Sequence, residues 1–191
     1  MPTASAPLSP TVQQILAHNR TFVARGVGEA RPASGRPARG LAIVTCMDAR
    51  LTRLLPEALG LADGDAAIIQ VAGATIVDLY GEAMRSLLVA VAELGVRDVM
   101  VIGHTDCGTC GMEPEHLMEA LVDTGVSHVA IEEELNRSPQ ANRVLTGFAV
   151  LEDEVARSVR TIREHPLMPA SVAVAGFTID IKTGELSPVA V

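Results

Sequence analysis

Aromatic side chains are almost missing from this chain: it has no tryptophan, one tyrosine and three phenylalanines in 191 residues. Large rings cannot supply the core, so alanine, valine, leucine, isoleucine and methionine must fill it, a mix that suits helices packed closely on a sheet. Cysteine is scarce as well. Three residues cannot form a disulfide framework, so a reducing cytoplasm is the expected compartment. Basic residues number 15 against 23 acidic ones, and the net charge of −8 excludes the basic face that a nucleic-acid partner requires. Long apolar runs are also lacking. Ser86 to Leu94 is interrupted by Glu93 and is too short to span a bilayer, so no membrane partner is expected. Met1 to Pro10 carries neither the charged nor the apolar stretch of a signal peptide. With 48% hydrophobic residues, the chain is long enough for one full core and short for two.

What is present is an alternation. Ser9-Pro10 reads as an N-cap followed by proline at the first helical position, opening a helix that runs to about Arg25 and stops at Gly26. The next segment, residues 26–40, is rich in Gly, Pro and Arg (Arg31, Arg36 and Arg39 among them) and reads as an irregular, solubilising connector. Residues 1–40 therefore form an N-terminal helix and connector, and 41–191 form the main domain. Leu41 to Thr45, Ala67 to Val71 and Asp98 to Ile102 are short apolar runs with β-branched residues, as strands buried on both faces are. Ser171 to Ile181 predicts a longer fourth strand. Between the second and third lies Asp78 to Leu94, with Leu79, Ala83, Leu87, Val91 and Leu94 at helical spacing and Gly95 closing it. Pro114 to Thr124 and Phe148 to Glu164 predict further helices. Strands alternating with helices give a three-layer α/β fold with a mainly parallel sheet flanked by helices.

Two clusters sit on this map. Cys46-Met47-Asp48-Ala49-Arg50 follows the first strand, and His104-Thr105-Asp106-Cys107 follows the third. Ligand sites in open α/β sheets collect at the carboxyl ends of strands, near a switch in strand order, so both clusters point to one edge. Cys46, His104 and Cys107 supply two thiolates and an imidazole, the ligand set of a zinc site with its fourth position open. A site of that kind is catalytic, not a zinc finger. Two thiolates offset the ion's charge, so a water there is acidified less than by three histidines, and Asp48 is placed to accept its hydrogen bond. Arg50 can hold the Asp48 carboxylate in a bidentate pair. With Arg50 elsewhere, Asp48 itself could become the fourth ligand in a closed state.

The paired C-x-D-x-R and H-x-x-C motifs, with Gly108 after the second cysteine, resemble the β-class carbonic anhydrases. The resemblance runs from about Leu41 to the final strand and includes the Ala72-Gly73 turn, which it places at the substrate site. It implies zinc on Cys46, His104 and Cys107, with Asp48 and Arg50 as the catalytic dyad. It also implies reversible hydration of carbon dioxide to bicarbonate by zinc-bound hydroxide. An N-terminal helix lying on a partner subunit follows from the same resemblance, as does a homodimer or dimer of dimers. The chain departs from the pattern at Gln70-Val71, where members often carry a basic residue and Asn. Val71 makes that region more apolar, which keeps hydrolysis of carbonyl sulfide or carbon disulfide as an alternative substrate reading. A non-catalytic zinc-binding homologue is a second alternative.

Other residues have plainer readings. Cys110 is three residues from Cys107 and could form a redox pair with it or a fourth ligand, although the family geometry favours a bystander thiol. Asp106 reads as a turn residue. His18, His116, His128 and His165 read as exposed helix or loop residues, and Glu132-Glu133-Glu134 as a solvated helix face.

Overall fold

A computed structural model describes residues 9–26, 34–138 and 145–191. They fall in two units, divided after Ala33. The first holds helix α1 (Pro10–Ala24), capped by the Ser9 side chain, with Pro10 in its first turn and Gly26 at φ 64° beyond its end. Part of the Gly/Pro/Arg connector, Arg31 included, lies outside the described residues.

The second unit follows the order β1 (Leu41–Cys46), α2 (Leu51–Ala58), β2 (Ala66–Val71), a 3-10 turn (Ala72–Ala74), α3 (Glu82–Ala92) and β3 (Asp98–His104). It continues through α4 (Pro114–Asp123), α5 (His128–Arg137), α6 (Leu151–Arg163), β4 (Ala173–Ile179) and β5 (Leu186–Val189). The five strands lie in the order β2-β1-β3-β4-β5; the first four are parallel and β5 returns antiparallel to β4. β1 thus has β2 on one side and β3 on the other. That is the switch in strand order at which carboxyl ends leave a crevice.

Strand alternation divides the core between two faces. Ala42 and Val44 of β1, Val99 and Val101 of β3, and Val174 of β4 pack with Met84, Leu87 and Ala90 of α3 and Val155, Val159 and Ile162 of α6. Ile43, Ile102 and Ile179 face the other way, onto Leu51 and Leu55 of α2. This is the expected three-layer arrangement. α6 is held by its own charges: Glu152, Asp153 and Glu154 in the first turn and Arg160 and Arg163 in the last oppose the helix dipole. Gly103 lets α6 approach the sheet beside His104. A Cβ there would lie 2.7 Å from Leu151 Cδ1 and 2.9 Å from Val155 Cγ2.

Several expectations shift. Helix α3 starts at Glu82; Leu87 of the expected line is buried and Ala83, Val91 and Leu94 pack against the same core, joined by Met84 and Ala90, whereas Leu79 precedes the helix and is exposed. The last helix starts at Leu151, three residues after Phe148. The expected Ser171–Ile181 strand is the shorter β4, and an additional strand, β5, follows it, because the Asp180 carboxylate accepts hydrogen bonds from the main-chain N–H groups of Lys182 and Thr183 and turns the chain back. The short amphipathic helix α2, with Pro56 inside it, had no counterpart in the periodicity reading. His165 is buried: its Nε2 donates to Leu79 O at 3.0 Å, and its Nδ1 accepts from the Leu167 N–H. His18, His116 and His128 are exposed. No helix among the described residues is long and apolar enough to cross a membrane.

Candidate metal centre

β1 and β3 are neighbours, and each ends in a side chain of the site. Cys46 closes β1 and His104 closes β3. Cys107 lies one short turn beyond His104. The ligand atoms of the three residues all lie within 4.8 Å of one another and all three residues are buried. The two sulfurs are 3.9 Å apart. Cys110 is outside this cluster; it is exposed, and its thiol is directed at Ala149 O, 3.7 Å away.

The histidine reveals what the cluster is made for. His104 Nδ1 lies 2.9 Å from the carbonyl oxygen of Thr105, which can only accept, so the proton sits on Nδ1 and the lone pair on Nε2. Nε2 is buried and has no hydrogen-bond partner among the described residues. A buried imidazole lone pair left facing two sulfurs is costly unless a cation fills the space. The donor set fits zinc: two soft sulfurs and one imidazole nitrogen.

The sulfurs themselves are cradled. Main-chain N–H groups of Asp48 and Gly73 face Cys46, and the N–H and hydroxyl of Thr109 face Cys107. The Cys46 thiol is pushed up, first by its hydrogen bond with Cys107 and then by burial. The same bond, with His104 and Thr109, pushes Cys107 down. His104 is raised, chiefly by its contact with Cys107.

Asp48 and Arg50 stand beside the cluster. Arg50 Nε donates to Asp48 Oδ1 at 3.0 Å and Nη2 to Oδ2 at 2.7 Å, a bidentate pair, and the Arg50 N–H adds a third bond to Oδ1. This pairing holds the Asp48 carboxyl down at about 2. Asp48 Oδ2 is 3.8 Å from His104 Nε2. Asp106, expected as a turn residue, has the φ of 56° of one. It also grips Arg50 from the other side, with Oδ2 accepting from Nη1 at 2.9 Å and its carbonyl accepting from Nη2 at 3.0 Å. The signal was available: a guanidinium has five donors, more than one carboxylate satisfies.

The Ala72-Gly73 turn lies against the loop that carries Cys107. Gly73 has φ 67°, and a Cβ on it would lie 2.6 Å from Thr109 Oγ1 and 3.0 Å from Phe148 Cε1. Ala74, buried, follows with φ 57°. Such conformations persist only where surrounding contacts enforce them. Here Ser158 Oγ accepts from the Ile76 N–H, and Arg157, itself paired with Glu154, donates to Ile76 O. Val71 pairs directly with Cys46 across the sheet, so an apolar residue stands at the first ligand's side.

Comparison with known proteins agrees with this geometry. The carbonic anhydrase family profile matches residues 41–186. The Bacillus subtilis (strain 168) protein YvdA, provisionally named a carbonic anhydrase, is 39% identical over 94% of this chain and 91% of its own length. The crystal structure of β-carbonic anhydrase isoform I from Trichomonas vaginalis superposes with a TM-score of 0.82 at 29% identity, covering 95% of this chain and 98% of that one. A carbon disulfide hydrolase from Acidithiobacillus thiooxidans is 28% identical over 78% of this chain and 77% of its own.

Proposed function

Since this chain belongs to the β-class carbonic anhydrase family, we propose that it catalyses the reversible hydration of carbon dioxide to bicarbonate, using zinc held by Cys46, His104 and Cys107. The observation that carries the metal assignment is the buried, unpartnered Nε2 of His104 facing two thiol sulfurs. Bound there, zinc supplies the Lewis acidity that lets water act as a nucleophile near neutral pH.

The protein's own groups do the rest. Asp48, beside His104 Nε2, accepts the hydrogen bond of the attacking water and aims its lone pair at the substrate carbon. Its carboxyl is held at about 2, so it cannot store a proton at neutral pH. Asp48 is therefore an orienting acceptor, and the proton released on hydration passes to solvent. Arg50 keeps Asp48 off the metal's open position, and Asp106 keeps Arg50 in place. Ala72 and Gly73 border the substrate. A dimer or dimer of dimers in a reducing cytoplasm completes the proposal. The exposed Val12, Ile15, Leu16 and Val23 of α1 support a partner subunit.

Val71 beside Cys46 favours one second reading, hydrolysis of carbon disulfide or carbonyl sulfide. Stopped-flow hydration of carbon dioxide by the zinc-loaded protein tests the first. Asp48→Asn should retain zinc and lose activity by about 100-fold or more, the scale of positioned acid–base groups. An Asp48→Asn protein as fast as the parent would remove Asp48 from the mechanism. An inactive, zinc-loaded parent that releases sulfide from carbon disulfide would replace the first reading with the second.

A further inference from the structure

Thr109 belongs to neither sequence motif, yet it touches both halves of the site. Its Oγ1 is 3.0 Å from Cys107 Sγ. The same oxygen occupies the space in which a Gly73 side chain would sit, 2.6 Å from that Cβ position. Its main chain is tied as well: Thr109 O accepts from the Phe148 N–H at 3.2 Å. The hydroxyl is thus confined between the loop after β3 and the turn after β2, within hydrogen-bond reach of a ligand sulfur. A deprotonated sulfur can only accept, so with Cys107 as a thiolate the hydroxyl must donate.

We propose that Thr109 is a positioning residue of the metal centre, its hydroxyl donating to Cys107 Sγ so that the sulfur is held in place and its electron donation is moderated. The inference rests on the zinc reading above. The Thr109 hydroxyl is a side-chain group, so substitution removes it without moving the backbone. Hydrogen bonds to ligands from outside the first coordination sphere typically govern metal affinity by 10–100-fold, and a hydroxyl facing a thiolate is in place to do so. A donor on sulfur also lowers the energy of its lone pairs, which offsets part of the charge that two thiolates return to the metal.

The test uses the full chain loaded with cobalt(II), whose sulfur-to-metal charge-transfer band reports the donor strength of the thiolates. Thr109→Val keeps shape and loses the hydroxyl; Thr109→Ser keeps the hydroxyl. Thr109→Val should shift the band to longer wavelength and weaken cobalt binding, measured against a competing chelator, by about 10-fold or more. Thr109→Ser should match the parent in both. A Thr109→Val band and affinity identical to the parent, or a shift equal in Val and Ser, would overturn the role of the hydroxyl. Should Thr109→Val fail to fold, Thr109→Ala against Thr109→Ser gives the same contrast, since those two differ by the hydroxyl alone. A parent that binds no cobalt or zinc at all would refute the metal assignment itself, a result separable from loss of the Thr109 contrast.

Discussion

Replacing Gly73 by alanine perturbs two quantities that the structure separates. The first is conformational. Gly73 sits at φ 67°, where a residue with a Cβ is disfavoured by roughly 1–2 kcal/mol. The second is steric. The new methyl would meet Thr109 Oγ1 at 2.6 Å, Phe148 Cε1 at 3.0 Å and Thr75 Oγ1 at 3.1 Å. Phe148 is buried among Cys46, Cys107 and Ile102 and cannot move aside freely, so relieving the overlap should cost a further ~1–3 kcal/mol. The sum, roughly 2–5 kcal/mol, is a large share of a typical domain's stability. Gly60→Ala is the matched control: φ is 60°, and nothing lies within 4 Å of the new Cβ, so only the conformational part should appear. Urea unfolding of the three proteins gives the comparison, with the denaturation midpoints converted through a common m-value. Gly73→Ala should also bind zinc more weakly, because the N–H that faces Cys46 must move with the turn. If Gly73→Ala destabilised no more than Gly60→Ala and kept full zinc, the crowding between the two loops would not constrain the site.

Two further outcomes follow from contacts away from the ligands. Ser158→Ala leaves the buried N–H of Ile76 without its acceptor and should lower stability by about 1–3 kcal/mol, read from the same urea titration; an unchanged midpoint would mean that α6 does not fasten the turn bearing Gly73. Asp180 tests the pH dependence. Hydrogen bonds from the main-chain N–H groups of Thr183 and Lys182 hold its carboxyl below the ordinary value, so its contribution is present above the unfolded value of about 3.8 and is lost as pH falls through the lower folded one. Asp180→Asn, which keeps the shape and removes the charge, should therefore be less stable than the parent at pH 6, with the gap closing as pH falls below 3.8. A gap that is constant or grows toward acid pH would refute the assignment.

Much of this protein was legible before its fold. Cysteine, histidine, aspartate and arginine at their spacings name a chemistry because few other residue types bind a soft divalent ion and few pairs fix a carboxylate. The runs at Leu41 and Asp98 were legible as strands because strands covered on both faces tolerate little but apolar residues; the Ala67 run is also a strand, but at the sheet edge, where Ile68 and Gln70 are exposed rather than covered as expected. Tertiary structure decided what depends on neighbours distant in sequence. Helix α3 begins only at Glu82, so Leu79, in phase by spacing, falls in the turn before it and is exposed, while Leu87 and Met84 are covered. His165 is polar enough to be expected outside, but two main-chain partners satisfy its ring and bury it. Asp106 and Thr109 stand beside the motifs in sequence without belonging to them. They acquire their contacts with Arg50 and Cys107 only when parallel pairing of β1 and β3 brings the two loops to one edge. Composition and local spacing fix which atoms can coordinate or ionise. Which of them have partners, and which are left facing a metal, is a property of packing that no local pattern contains.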